Sequence, residues 1–193
     1  MKILVVDNGG QWTHREWRVL RDLGIDAQII PNDTPLPEVL KLNPSGIVLS
    51  GGAPRIGLSD SLGRCAEYIE SGLPVLGICA GEQFMARHFG GKVEPGKVPE
   101  FGKVLLTIDD KNDGLLIGIP EKITVWASHN DEVSVLPGTF KNMAHSKDCA
   151  IQIMRHKTRP LYGIQFHPEV EHTESGDKFF ENFVEICKKH GKK

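Results

Sequence analysis

The chain has 193 residues, 39% hydrophobic and 25% charged, with a formal charge of −2 from 23 basic and 25 acidic side chains. That is enough chain for one domain, residues 1–193, with a substantial core. The balanced charge excludes a nucleic-acid partner held by a basic surface, and the one basic block, "KKHGKK" at the C-terminus, reads as a solvated end.

No apolar run approaches the roughly 20 residues needed to cross a membrane, so no membrane partner is expected. "MKILVVDNGG" reads as a first strand and not as a leader. Cys65, Cys79, Cys149 and Cys187 form no C-x-x-C pair, so the expected location is a reducing cytoplasm.

In chain order, "KILVVD" predicts a buried strand that "NGGQ" breaks. Trp12 to Leu23 reads as a helix with Trp17, Leu20 and Leu23 on one face, stopped by Gly24. "IDAQII" is a second strand ended by Pro31. "TPLPEVLKL" is a helix with Thr34 as its cap and Pro35 at its first position. "SGIVLSGG" is a third strand and Ser61 to Ser71 a helix. "LPVLGI" is a fourth strand, and Gly81 to Phe89 a helix closed by two glycines. Repeated strand–helix units with apolar strands predict an α/β fold, an open, mostly parallel sheet with helices on both faces. The rhythm then changes. "KVLLTI", "KITVWAS", "EVSVL", "KNMAHS", "AIQIM" and "LYGIQF" are closely spaced β-runs, so an antiparallel portion is expected in the second half. Ser175 to Lys189 is a final amphipathic helix with Phe179, Phe180, Phe183 and Ile186 on its apolar face.

The chemistry starts at Gly77-Ile78-Cys79-Ala80-Gly81, where the fourth strand gives way to a helix. G-x-C-x-G is the thiol counterpart of the G-x-S-x-G nucleophile elbow. Its glycines admit a sharp turn that packs closely against neighbouring chain. The N–H groups of the helix that follows favour a thiolate and can bind an oxyanion. The other reading of Cys79 is a small buried hydrophobe. A cysteine nucleophile needs a base, and "GIQFHPEV" offers one in His167, with Glu169 two residues on to orient it. In extended chain these two side chains share a face. A metal site from His167, Glu169 and His172 lacks a recognised ligand spacing, so none is expected.

"LSGG" at Leu49–Gly52, "GICAGEQ" at Gly77–Gln83 and "GIQFHPEV" at Gly163–Val170 together resemble the class I (triad) glutamine amidotransferase family. "VVDNGGQ", "WASHNDEV" and "FHPEVEHTESGDKFFENF" are most similar to the glutaminase subunits of its archaeal-type, two-subunit GMP synthetase branch. The resemblance spans about Lys2 to Cys187. It implies that Cys79 attacks the side-chain amide of glutamine, that His167 moves the proton and that Glu169 orients His167. It also implies an oxyanion hole from the backbone N–H groups of Gly52 and Ala80. Gly51, Gln83, Ser128, His129, Asn130 and Asp131 would hold the substrate. The 128–131 segment reads from its residues alone as a hairpin loop.

The resemblance implies no cofactor in this subunit, with ATP and Mg on a separate ATP-pyrophosphatase subunit that receives the ammonia and aminates XMP to GMP. The chain stops where a fused synthetase would continue, so a separate subunit is expected. The alternatives are an amidotransferase subunit for an anthranilate or aminodeoxychorismate type of synthase, and a catalytically silent regulatory module. Two departures from the family pattern stand out. Glu82 occupies a position usually held by His or Met, and "SGGAPR" shifts a proline beside the oxyanion loop. An inward carboxylate at 82 would oppose thiolate formation on Cys79.

Overall fold

The computed structural model describes residues 1–58 and 61–191, so Lys192 and Lys193 of the basic end lie outside the described residues. The elements are β1 (Lys2–Asn8), α1 (Thr13–Asp22), β2 (Asp26–Pro31), α2 (Leu36–Lys41), β3 (Gly46–Gly52), α3 (Cys65–Glu70), β4 (Val75–Ile78), α4 (Ala80–His88) and β5 (Lys92–Ile108). A short 3-10 turn at Gly114–Leu116 is followed by β6 (Lys122–Val135), β7 (Phe140–His145), β8 (Ile153–His156), β9 (Leu161–Ile164) and α5 (Gly176–His190). Among the described residues all nine strands join one sheet in the order β2-β1-β3-β4-β9-β8-β7-β5-β6. From β2 to β9 the pairs are parallel, and from β9 to β6 they are antiparallel.

The apolar strands are explained by helices on both faces. Along β1, Ile3 and Val5 join a core with Leu20 of α1 and Phe179, Phe180 and Phe183 of α5. Leu4 and Val6, on the opposite face of the pleat, join a second core with Val39 of α2, Tyr68 of α3 and Met85 of α4. Gly24, at φ +77°, ends α1 as expected. Among the described residues no helix is long and apolar enough to cross a membrane.

Four local expectations change. Thr34 does not cap α2: its hydroxyl donates to the Pro31 carbonyl at 2.8 Å, and Pro35 is the capping residue. α3 begins only at Cys65. "KITVWAS" and "EVSVL" form the single strand β6, so the 128–131 segment is paired chain and not a hairpin loop. Its partner β5 begins at Lys92, far ahead of the apolar run. Backbone pairing carries that exposed stretch, and Pro95 and Gly96 are absorbed where the register shifts between Pro95 and Glu100.

Candidate active site

Strands β1, β3, β4 and β9 run parallel, so their carboxyl ends gather on one edge of the sheet, where open α/β folds place their sites. Cys79 sits at the end of β4 with φ 51° and ψ −106°, a conformation that L-residues rarely adopt. It is held there by its N–H donating to the Ile164 carbonyl at 2.7 Å and its carbonyl accepting from Gln83 N–H at 3.0 Å. A Cβ on Gly77 would lie 2.6 Å from the carbonyl carbon of Gly81, and one on Gly81 would lie 2.5 Å from the Leu49 carbonyl oxygen. Neither position tolerates a side chain. α4 starts at Ala80, which brings its unsatisfied first-turn N–H groups next to the sulfur.

His167 reaches this thiol from the loop after β9 and lines the same cavity, while the Cys79 thiol points to the Ser128 carbonyl, with Sγ 3.9 Å from that oxygen. Its Nδ1 lies 2.7 Å from Glu169 Oε1. The pairing arises from a turn, with Val170 N–H donating to the His167 carbonyl at 3.4 Å, and not from an extended strand, because β9 has already ended at Ile164. His167 N–H donates to the Trp126 carbonyl at 2.9 Å, and the Thr173 hydroxyl donates to the His167 carbonyl at 2.7 Å, which ties the loop to β6 and to itself. The edge of Trp12 packs against the imidazole with ring centroids 4.4 Å apart. Burial disfavours the imidazolium, but the charge of Glu169, the Cys79 thiol and the hydrogen bond to Glu169 outweigh it. The net effect pushes His167 up to about 10.

Two cavities meet at Cys79. One, of about 170 Å³, is lined by Gly52, Ala80, Gln83, Ser128 and Asp131 among others. The other, of about 260 Å³, lies toward Trp12, Glu16, Gly51, His167 and Glu169. Gly51, in the larger cavity, packs tightly on the base: a Cβ there would fall 3.1 Å from His167 Cε1.

Asp131 braces the smaller cavity. Its carboxylate pairs with Arg55 and accepts from Gly57 N–H at 3.3 Å, and its carbonyl accepts from Gln83 Nε2 at 2.7 Å. The Arg55 guanidinium holds the Asp131 carboxyl below the usual carboxylate range. His129 lines the cavity, but its imidazole turns inward, with Nε2 2.9 Å from Glu100 Oε2 and Nδ1 3.1 Å from the Asp131 carbonyl. Glu100 also accepts from Ser146 at 2.5 Å and from Gln152 at 2.6 Å. His129 therefore fixes the Asp131 backbone while its ring faces the core. Asn130 is exposed.

Glu82 points inward. Its carboxyl is fully buried, and neither oxygen has a partner among the described residues. Burial, reinforced by the charge of Cys79, pushes its pKa well above the usual carboxylate range, so it is carried as the neutral acid. The space for it comes from Gly163, where a Cβ would lie 2.5 Å from Glu82 Cγ. Trp12, Thr13 and Glu16 escaped the sequence reasoning. Thr13, Glu16 and Leu20 are the buried residues of α1, so an acid four positions ahead of Leu20 was the available signal.

The family model for class-I glutamine amidotransferases matches residues 4–187. The chain belongs to the class-I glutamine amidotransferase family. It is 52% identical over 195 residues to a glutamine-hydrolyzing GMP synthase subunit of Thermoplasma volcanium, covering 100% of this chain and 95% of that one. Identity to the corresponding GMP synthase subunit of Thermococcus kodakarensis is 49% over 186 residues, covering 96% and 98%. A crystal structure of a GMP synthase subunit from Thermoplasma acidophilum superposes with a TM-score of 0.93 at 50% identity, covering 100% and 96%. A glutamine amidotransferase from Thermotoga maritima, at 20% identity, 98% and 83% coverage and a TM-score of 0.72, shares the fold of this class-I amidotransferase domain.

Proposed function

We propose that this chain is the glutamine-hydrolysing subunit of a two-subunit GMP synthetase. The observation that carries the chemistry is Cys79, on a strained elbow, sharing one cavity with an imidazole that Glu169 holds at 2.7 Å. The acceptor follows from relatives about half identical over nearly the whole chain, which are glutamine-hydrolyzing GMP synthase subunits.

Glutamine binds with its α-groups toward Gln83 and the Asp131 brace and its amide over Cys79. His167 holds the thiol proton, and Sγ attacks the amide carbon as the thiolate of that pair. The N–H groups of Gly52 and Ala80 receive the developing oxyanion, each contributing about 3 kcal/mol to the barrier. His167 then returns the proton to the amide nitrogen as the C–N bond breaks, which releases ammonia and leaves a γ-glutamyl thioester. Water, deprotonated by the same imidazole, cleaves the thioester to glutamate. Glu169 keeps the Nδ1 proton facing away from the sulfur, so that Nε2 does the work. The ammonia passes to an ATP-pyrophosphatase subunit, which holds ATP and Mg and aminates XMP.

The test combines the chain with ATP-Mg, XMP and that synthetase partner. Cys79→Ala is expected to lose glutamine-dependent GMP formation and to keep ammonia-dependent formation. Retention of the glutamine-dependent rate would overturn the nucleophile, and ammonia transfer only to a chorismate-type synthase would overturn the acceptor. Free glutaminase activity is expected to be low, because hydrolysis uncoupled from synthesis wastes glutamine; equal rates with and without the loaded partner would remove that regulation.

A further inference from the structure

The larger cavity beside Cys79 contains an acid that the triad chemistry leaves unused. Glu16 is 1% exposed and lines this cavity together with Cys79, His167 and Glu169. Its carboxyl faces the Gly51 N–H, at the strand end that supplies the oxyanion loop. Its Oε2 is buried with no partner among the described residues. In Glu169, Oε1 holds His167, and Oε2 is likewise buried with no partner among the described residues. Two orphaned carboxyl oxygens therefore border one cavity. Two ionised carboxylates there would repel each other, whereas a single proton on Glu16 supplies the missing donor.

We propose that Glu16, carrying its proton, is a positioning residue that joins the oxyanion loop to the catalytic triad. Its carbonyl oxygen accepts from Gly51 N–H, and its hydroxyl donates across the cavity toward the free oxygen of Glu169. This rests on the glutaminase reading above and extends the triad by one outer member. Both contacts converge on the reaction: one fixes the residue next to the Gly52 donor, and the other fixes the carboxyl that aims His167. The charged groups facing Glu16 agree with a retained proton. Burial acts first, Glu169 second and Asp7 of β1 also raises its pKa, against opposing contributions from His167 and the Gly51 N–H. Arg15 and Arg18 of the same helix line a different cleft, beside Asp22 and Glu171.

The test compares Glu16→Gln and Glu16→Leu with the wild type. The amide of Gln can accept from Gly51 and donate to Glu169, but it cannot ionise. Leu removes both bonds. Glu16→Leu is expected to lower kcat about tenfold or more, with the KM for glutamine changed less than about twofold because the α-groups bind in the other cavity. Glu16→Gln is expected to rescue most of that loss near neutral pH and to abolish the alkaline step that ionisation of Glu16 imposes on the wild-type profile. The same profile is read without glutamine, as the rate of Cys79 alkylation by iodoacetamide, with Cys79→Ala as blank. Superimposable profiles for wild type and Glu16→Gln, or a Glu16→Leu variant with wild-type kcat, would overturn the proposal. If Glu16→Leu fails to fold, the profile of Glu16→Gln decides. Should the alkylation profiles separate while no glutamine is hydrolysed, the role of Glu16 stands and the glutaminase reading fails.

Discussion

Glu82→Met is the perturbation that most directly tests the buried acid behind the nucleophile. Met has nearly the same length and no polar atom. The wild-type carboxyl is fully buried, and neither oxygen has a partner among the described residues, a defect of the kind that costs about 1–3 kcal/mol. A second contribution depends on pH. Because burial raises the folded-state pKa, the native protein keeps a proton that the unfolded chain releases above about pH 4.3. Unfolding then becomes easier by about 1.4 kcal/mol for each pH unit, for as long as the native form holds that proton. The stability penalty is thus smallest at acid pH and grows upward through the window between the unfolded and folded pKa values. Glu82→Met is expected to be more stable than wild type by about 1–3 kcal/mol at pH 4.5, with the gap widening by about 1.4 kcal/mol per unit above it. The assay is urea unfolding of both proteins, in reductant, at half-unit steps from pH 4.5 to 8. Parallel stability curves, or a variant weaker than wild type throughout, would refute a neutral and unsatisfied Glu82.

Gly163→Ala would place a methyl 2.5 Å from Glu82 Cγ and 2.9 Å from Met154 Cε. A loss of about 1–3 kcal/mol is expected, and pairing it with Glu82→Ala in a double-mutant cycle on urea stability should recover a large part of that loss. Arg55→Ala removes the cation that depresses the Asp131 pKa. Asp131 contributes stability above its unfolded pKa and loses it as pH falls through its folded one. The variant should therefore unfold at a higher pH in an acid titration followed by circular dichroism. The same variant should raise the KM for glutamine with kcat little changed, because the Asp131 brace shapes the smaller cavity and not the triad.

The strand–helix alternation, the elbow and both halves of the His167–Glu169 pair were legible because each rests on local chemistry. Gly77 is dictated by Gly81 within the same turn, although Gly81 is dictated by the Leu49 carbonyl of β3, and "HPEV" brings base and orienter together in sequence. What was illegible depended on long-range placement. Whether Glu82 pointed in or out turned on Gly163, 81 positions away, as 163 − 82 shows. Its partnerless burial contradicts the ordinary rule that acids stay wet. Glu16 was read past because the helix face was drawn through Trp17, Leu20 and Leu23. The buried stripe runs instead through Thr13, Glu16 and Leu20. The resemblance made His129 a substrate contact, yet β6 is paired chain there, and the ring meets Glu100, the residue directly opposite it on β5.

The two buried acids bracket the nucleophile from opposite sides, Glu82 within α4 behind the sulfur and Glu16 across the larger cavity from it. If both ionised, the sulfur would form its thiolate beside further negative charge in addition to Glu169, and His167 is the cation that faces Glu16 and Glu169. Low dielectric magnifies that repulsion. Protonation of both acids keeps the triad's single ion pair dominant, which is consistent with an imidazole pushed up to about 10. Ionisation of either acid is then expected to limit catalysis on the alkaline side, because it places a second negative charge beside the triad. In Glu16→Gln combined with Glu82→Met that limit should rise to the one imposed by His167, measurable as the alkaline limb of Cys79 alkylation. A limb unmoved in the double variant would mean that neither acid senses the charge on the sulfur.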